Sequence, residues 1–181
     1  MQNQIRQDQI IGSRRLSNYF WTISLFFGGI GFLLAGLSSY FKINFLPVAN
    51  PTELVFIPQG VTMLFYGTLS LGISIYLFTT VVLDIGSGYN EYNKSDNLVK
   101  IVRKGFPGKN RKILLTYPLT NIRSIGIKIT EGLNPTRNIY LCLKDERKIP
   151  LTPVQEPTSI SKLEEQAASL AKFLDLKLEN L

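Results

Sequence analysis

The residues best suited to chemistry in this sequence are five cations grouped around a Pro-Gly turn signal. They are Arg103, Lys104, Lys109, Arg111 and Lys112, with Pro107-Gly108 between them. Clustered cations attract anionic lipid head groups, at about 1 kcal/mol each near a charged membrane, and they attract acidic protein surfaces as well. We therefore predict that this segment binds a partner protein or lipid; the alternative is a solvated hairpin tip that keeps its domain soluble.

The same segment does not fit two better-known anion-binding loops. Gly105, Gly108 and Lys109 are similar to a phosphate-binding loop, but the spacing is too short and no Ser or Thr follows Lys109. A nucleic-acid-binding loop bounded by two glycines needs flanking helices, whereas strands are predicted on both sides of this one. Nucleic acid is therefore not a predicted partner.

Side chains for catalysis or metal binding are scarce. The chain has no histidine, the commonest general base and metal ligand, and its lone Cys142 excludes an intrachain disulfide and a multi-cysteine metal site. Four carboxylates near the carboxyl end could form an acid–base pair, but an exposed helix face explains them better: Glu156, Glu164, Glu165 and Glu179. We predict no catalytic residue and no metal site, and we keep Glu164, Glu165 and Glu179 as candidate partner contacts.

Two long uncharged segments determine where the candidate binding residues are held. No charged residue occurs in the 26 positions between Arg15 and Lys42, or in the 30 positions between Glu53 and Asp84. A bilayer core about 30 Å thick needs roughly 20 apolar residues in a helix, and residues 19–41 and 60–83 are long enough. We predict two transmembrane helices joined by a short link, residues 42–59; buried core helices of a soluble domain are the alternative.

The charge distribution predicts the orientation of this helical hairpin. The amino-terminal tail, residues 1–18, carries three arginines and one aspartate, and residues 94–128 hold nine Lys or Arg and one Asp. Cytoplasm-facing segments of membrane proteins are rich in Lys and Arg. Both termini are therefore predicted on the cytoplasmic or equivalent side, with the link on the far side.

Small residues recur every four positions within both spans. They are Gly31, Ala35 and Ser39 in the first span, and Thr68 and Gly72 in the second. Such stripes let helix backbones approach closely in a membrane, where apolar burial gives no drive between helices. We predict that they mediate helix packing, either between the two spans or against another membrane protein.

Residues 84–181 change from helical to twofold periodicity, which is typical of half-buried antiparallel strands. Strands are predicted over 89–93, 98–103, 113–117, 124–129, 139–144 and 149–151. An amphipathic helix over 161–174 follows, with Ser161 and Glu164 at the spacing of a capping box. The predicted fold class is membrane-anchored α+β, and the order of elements resembles a small pleckstrin-homology-like β domain closed by its last helix.

Seven short strings, in this order and combined with two spans, carry a resemblance over essentially the whole chain. They are GSRRLSNY at Gly12–Tyr19, LAGLSSY at Leu34–Tyr40, FIPQG at Phe56–Gly60, FYG at Phe65–Gly67, GSGYNEY at Gly86–Tyr92, GFPGKNR at Gly105–Arg111 and IPLT at Ile149–Thr152. The sequence resembles the photosystem I assembly protein family of chloroplasts and cyanobacteria, the "hypothetical chloroplast open reading frame four" family.

The resemblance implies a thylakoid membrane protein of a plastid or a cyanobacterium, with both termini in the stroma, that helps assemble photosystem I without belonging to the finished complex. It implies no enzymatic activity and no cofactor, and its implied partners are photosystem I subunits, other assembly factors and thylakoid lipids. We expect a scaffold whose exposed domain holds newly made reaction-centre and peripheral subunits. A module that binds anionic thylakoid lipids is the alternative, and an enzyme using carboxylates or Cys142 is a third hypothesis.

Overall fold

The computed structural model describes residues 4–109, 111–130, 132, 135–152 and 159–181. The chain divides into two compact units, a helical hairpin of residues 13–84 and a β domain made of residues 1–12 together with 85–181. The hairpin is thus an insertion near the amino end of the β domain. The sequence pattern gives no sign of this arrangement, because the tail before the first span carries no strand signal.

The helical hairpin consists of α1, Leu16–Phe41, and α2, Val61–Leu83. Its link contains a 3₁₀ turn, Pro51–Glu53, and a π-helical turn, Phe56–Gly60. Both predicted helices are present, and α1 begins three residues before the predicted start. Both are long and apolar enough to cross a membrane.

The two helices contact each other through glycines and hydroxyls. A Cβ placed on Gly67 would lie 2.7 Å from the backbone nitrogen of Leu33 and 3.0 Å from the carbonyl oxygen of Gly29. The Ser70 hydroxyl donates to the Leu25 carbonyl and the Ser74 hydroxyl to the Thr22 carbonyl, each at 2.9 Å. The helix backbones therefore approach closely, with interhelical hydrogen bonds in addition to van der Waals packing.

The predicted small-residue stripes divide between two faces of the hairpin. Ala35 and Ser39 are buried, whereas a Cβ on Gly31 or Gly72 would meet nothing within 4 Å. Thr68 is exposed, and its hydroxyl bonds the carbonyl of its own helix one turn back. Gly31, Thr68 and Gly72 therefore do not pack on the other span, which leaves them as predicted contacts for another membrane protein, because spacing alone does not say which partner a helix face meets.

Polar side chains hold both ends of the hairpin. At the link, the Ser39 hydroxyl donates to the Leu54 carbonyl at 2.8 Å, and the Lys42 ammonium donates to the Thr52 carbonyl at 2.8 Å. At the open end, the Arg14 guanidinium donates to the carbonyls of Val81 and Val82 at 3.2 and 3.3 Å. A cation at these last carbonyls of the helix complements the carboxyl-terminal end of α2.

In the residues that the structure describes, the β domain contains eight strands in two four-stranded sheets. The first sheet has the order β1-β2-β3-β4, all antiparallel: β1 Ile5–Ile10, β2 Gly88–Asn93, β3 Leu98–Lys104 and β4 Lys112–Pro118. The second has the order β7-β6-β5-β8: β5 Ile122–Thr130, β6 Thr136–Leu143, β7 Lys148–Pro150 and β8 Lys177–Asn180. All six predicted strands are present.

Strands β1 and β8 were not predicted. Strand β1 reads Ile-Arg-Gln-Asp-Gln-Ile, a polar sequence whose partner β2 lies more than seventy residues further along the chain. Strand β8 has four residues and pairs in parallel with β5 after the last helix crosses over. Both strands exist because of long-range pairing, which local periodicity does not report.

The last helix, α3, spans Ile160–Leu174 and packs on β5 and β6. Its buried residues form the predicted apolar stripe: Leu163, Ala167, Leu170, Ala171 and Leu174. The predicted capping box is wrong, because Ser159 occupies the N-cap position without a side-chain hydrogen bond and Ser161 lies inside the helix. Cys142 is 2% exposed, beside Gly126 and Leu181 on the sheet face opposite Leu141, so it is a packing residue.

Candidate partner-binding surface

The basic segment of the sequence forms the hairpin between β3 and β4. Lys104 and Lys112 lie opposite each other at its base, and the Gly105 amide donates to the Arg111 carbonyl at 2.8 Å. Lys109 and Arg111 are exposed in the turn, as are the two lysines. We call these four residues, Lys104, Lys109, Arg111 and Lys112, the basic tip. One position of the turn, Asn110, lies outside the described residues.

Arg103 was predicted as part of this basic cluster, but the structure directs it inward. It is half-buried, and its guanidinium donates to the carbonyls of Val102 at 2.8 Å and of Tyr89 and Leu151 at 3.3 Å. Burial lowers the pKa of this guanidinium. The Asn90 amide donates to the same Leu151 carbonyl at 3.0 Å. Arg103 and Asn90 therefore join the first sheet to the residue that follows β7 in the second.

An exposed apolar strand borders the basic tip. Strand β4 is an edge of the first sheet, yet Ile113, Leu114 and Leu115 are 46%, 56% and 40% exposed. Phe106, in the turn, is 51% exposed. The strand is predictable from the sequence but its exposure is not, because three consecutive apolar residues in a strand normally indicate burial on both faces.

The predicted acidic contacts do not form one functional group. Glu164 and Glu165 are exposed on α3, and Glu156 lies outside the described residues. Glu179 lies on β8, and the Arg123 guanidinium of β5 donates to its carboxylate at 3.1 Å. The nearby Ser124 hydroxyl and the Arg123 guanidinium lower the pKa of Glu179. Glu179 is thus engaged in holding the short parallel strand β8 against β5.

A polar cleft of about 470 Å³ lies between β1, β2 and α3. It contains Arg6 and Asp8, whose side chains form an ion pair at 3.0 Å, and the buried side chains of Asn90 and Tyr92. In the described part of the chain, no group of three or more Cys, Asp or Glu side chains is arranged to hold a metal ion. The arrangement pairs charges within the fold and shows no catalytic constellation in those residues.

Tyr92 gives the β domain a specific dependence on alkaline pH. Burial raises the pKa of its phenol, and the Asp8 carboxylate adds to the rise. Because an unfolded tyrosine ionises near pH 10, the folded state binds the proton more tightly and its stabilisation is complete below that pH. The stability is lost as the pH rises above about 10, by about 1.4 kcal/mol per pH unit.

Tyr92→Phe is expected to remove this loss. The free energy of unfolding of the full chain in detergent, measured between about pH 8 and pH 11, should fall less steeply for Tyr92→Phe than for the unchanged chain. Lysine titration contributes equally to both proteins, so the comparison isolates one phenol. Parallel slopes in the two proteins would contradict the burial of an un-ionised Tyr92.

Comparison with known proteins places the whole chain in one family. The Ycf4 family model matches residues 3–172. The chain is 77% identical over 181 residues to a "Photosystem I assembly protein Ycf4" of Phaeodactylum tricornutum, covering all of both chains. Proteins of the same name from Pyropia yezoensis and Trichodesmium erythraeum are 58% and 57% identical, over 97% and 96% of this chain and 94% and 92% of theirs. The chain belongs to the Ycf4 family.

Proposed function

We propose that the chain is a non-enzymatic, membrane-anchored assembly factor for photosystem I, which holds newly made subunits beside the thylakoid membrane. The observation that carries this proposal is the match, over the full length of both chains, to relatives named as photosystem I assembly proteins. The predicted partners are photosystem I subunits and other assembly factors. No bound cofactor is needed for such a role.

The surface of the hairpin supports membrane anchoring. Large apolar side chains point outward along both helices, among them Phe20, Trp21, Phe27, Phe32, Phe65, Ile75 and Phe78. Helices in the core of a soluble protein bury most of this surface, whereas lipid covers it in a membrane. Two spans return the chain to the side from which it started, so the proposal places the β domain and both termini on one side of the membrane. The excess of Lys and Arg outside the spans supports the stromal side.

The β domain supplies the holding surface in this proposal. Its two four-stranded sheets, with α3 packed on β5 and β6, support a pleckstrin-homology-like fold, to which β8 adds a parallel strand after the helix. Confinement of this domain and its partners to one membrane raises their effective concentration, so individually weak contacts suffice. The basic tip is one such contact, because exposed cations attract the acidic surface of a subunit.

Reversal of charge at the basic tip is expected to weaken subunit binding. In Lys109→Glu with Arg111→Glu, loss of attraction and added repulsion should cost about 1–2 kcal/mol, or roughly 5- to 30-fold in the subunits recovered with a tagged full chain from solubilised thylakoids. Lys144→Glu with Lys148→Glu, exposed at the β6–β7 turn, makes the same charge change elsewhere and is the control.

The same experiment tests the proposed function itself. Photosystem I subunits should copurify with the unchanged chain, and their absence would exclude the assembly role. If the tip variant and the control retain subunits equally, the basic tip is not a subunit contact.

Lipid binding is the second candidate function, favoured by the exposed Phe106 beside the cations of the tip. It predicts that the full chain, solubilised and repurified, retains anionic thylakoid lipid in proportion to the tip charges. Lipid content that is unchanged in the tip variant would exclude it.

A further inference from the structure

The edge of β4 carries backbone groups that point away from the sheet. The Gly105 amide bonds the Arg111 carbonyl and the Leu119 amide bonds the Asn97 carbonyl, both at 2.8 Å, one at each end of the β3–β4 ladder. Hydrogen-bonded and non-hydrogen-bonded pairs alternate along an antiparallel ladder. The residues between these ends that bond β3 are therefore the odd-numbered ones, from Ile113 to Tyr117.

The even-numbered residues Lys112, Leu114 and Thr116 consequently direct their N–H and C=O groups outward. Pro118 occupies the next outward position, where a missing N–H costs the sheet nothing. Among the described residues, β4 has β3 as its single strand neighbour. Within the described part of the chain, the edge thus presents a row of unpaired donors and acceptors, which is a template for one more strand.

Apolar side chains flank this edge on both faces of the sheet. Ile113 and Leu115 lie on the face shared with the buried Val99 and Ile101 of β3, and Leu114 lies on the opposite face. All three are at least 40% exposed. Natural proteins usually protect such an edge with charges along the strand, a bulge or a covering element. Here the charges stand at one end only, in the basic tip.

Three kinds of partner would cover these apolar side chains: a lipid bilayer, a second copy of this chain, or a segment of a different protein. The outward backbone groups and the net charge of the chain distinguish between them. A lipid bilayer would leave the outward N–H and C=O groups without hydrogen bonds, at a cost of several kcal/mol each. A second copy would bring another chain of net charge +7 against this one, so the two chains would repel each other. An extended segment of a different polypeptide pairs with the backbone groups and suffers neither penalty.

We propose that β4 is a docking edge for an extended segment of a partner protein, which adds as a fifth strand to the first sheet. The segment carries apolar side chains at positions facing Ile113, Leu114 and Leu115, and carboxylates at the end that lies against the basic tip. This inference rests on the proposed function in one respect: the partner is a subunit that the assembly factor holds. Backbone pairing supplies the affinity and the side chains supply the specificity.

Hydrogen exchange of the full chain tests this edge directly. The chain is purified together with its copurifying photosystem I subunits, and a second sample is stripped of them in the same detergent. The amides of Leu114 and Thr116 are expected to exchange at least about tenfold more slowly in the complex, because strand pairing protects them. The amides of Ile113 and Leu115 already bond β3 and should change less.

A matched pair of substitutions probes the same hydrogen bonds. Thr116→Pro removes an outward N–H and leaves the β3 ladder intact, whereas Thr116→Ala shortens the side chain and keeps the N–H. Recovery of subunits should fall about tenfold for Thr116→Pro and by less than about twofold for Thr116→Ala. Hydrogen exchange in the unchanged chain remains a test if the proline variant folds poorly.

Each other outcome overturns the proposal. Subunits that copurify without protecting Leu114 and Thr116 exclude this edge and leave the assembly role standing, whereas failure of any subunit to copurify removes both. If the Leu114 and Thr116 amides of the stripped chain become protected in vesicles of anionic thylakoid lipid, the membrane covers this edge. If protection of these amides rises with the concentration of the stripped chain, a second copy of the chain covers the edge.

Discussion

The β domain is expected to fold without the hairpin but not without β1. A chain in which a short glycine-serine linker replaces residues 13–84 should be soluble and folded, because Gly12 and Ile85 are already adjacent. A Cβ on Gly12 would lie 2.6 Å from the Ile85 carbonyl oxygen. By contrast, residues 85–181 alone should be largely unfolded or aggregated.

The reason is the contribution of β1 to the first sheet. Its six residues pair with β2 from Ile5 opposite Asn93 to Ile10 opposite Gly88, and the Arg6 guanidinium reaches the Ser169 hydroxyl of α3 at 2.9 Å. Half a dozen backbone hydrogen bonds at about 0.5–1.5 kcal/mol each total about 3–9 kcal/mol. That sum is comparable with the whole stability of a small domain.

Circular dichroism and size-exclusion chromatography of the two chains check this prediction. A hairpin-replaced chain with residues 4–12 in scrambled order is the control, since it keeps length and composition and removes the pairing with β2. A cooperative thermal transition in residues 85–181 alone, at the temperature of the hairpin-replaced chain, would show that β1 contributes little.

The second large effect is expected at Gly67, between the two apolar helices. Gly67→Ala should destabilise the hairpin by about 1–3 kcal/mol, because the new Cβ would meet the backbone of α1 at 2.7–3.0 Å and the helices must separate. Gly72→Ala is the matched control on the same helix, with nothing within 4 Å of the added carbon. Both substitutions change helix propensity equally, so their difference measures the clash.

Thermal unfolding of the full chain in detergent, and its level in the thylakoid membrane, are the measurements. Gly67→Ala should lower both relative to Gly72→Ala. The opposite outcome is that Gly72→Ala lowers the level of the protein in the membrane more than Gly67→Ala does, while leaving the thermal stability of the purified protein unchanged. That result would show that the helix face carrying Gly72 contacts another membrane protein.

Much of the fold is readable from sequence alone. Uncharged stretches of 26 and 30 residues and the twofold periodicity around Ile125 and Ile139 predict the two long helices and six of the strands. The apolar stripe of α3 is readable for the same reason. Each of these signals concerns neighbours within a few residues, where the geometry of a helix or strand fixes which side chains share a face.

The candidate site is less predictable. The sequence groups Arg103 with the cations of the basic tip. In the structure its side chain points inward and donates a hydrogen bond to a backbone carbonyl 48 residues away. The sequence also offers no reason to single out Leu114, because exposure of an apolar strand depends on having no neighbour at the sheet edge. A local pattern does not contain that information.

The sequence by itself determined the family, the two apolar segments, the basic turn and the elements whose periodicity is local. The tertiary structure decided that a polar amino-terminal segment becomes β1, that Gly67 rather than Gly72 lies between the helices, and that β4 is left as an open edge. The physical reason is that pairing and packing between distant segments depend on which surfaces meet. That choice is made by the sum of contacts over the whole chain and not by any one stretch of it.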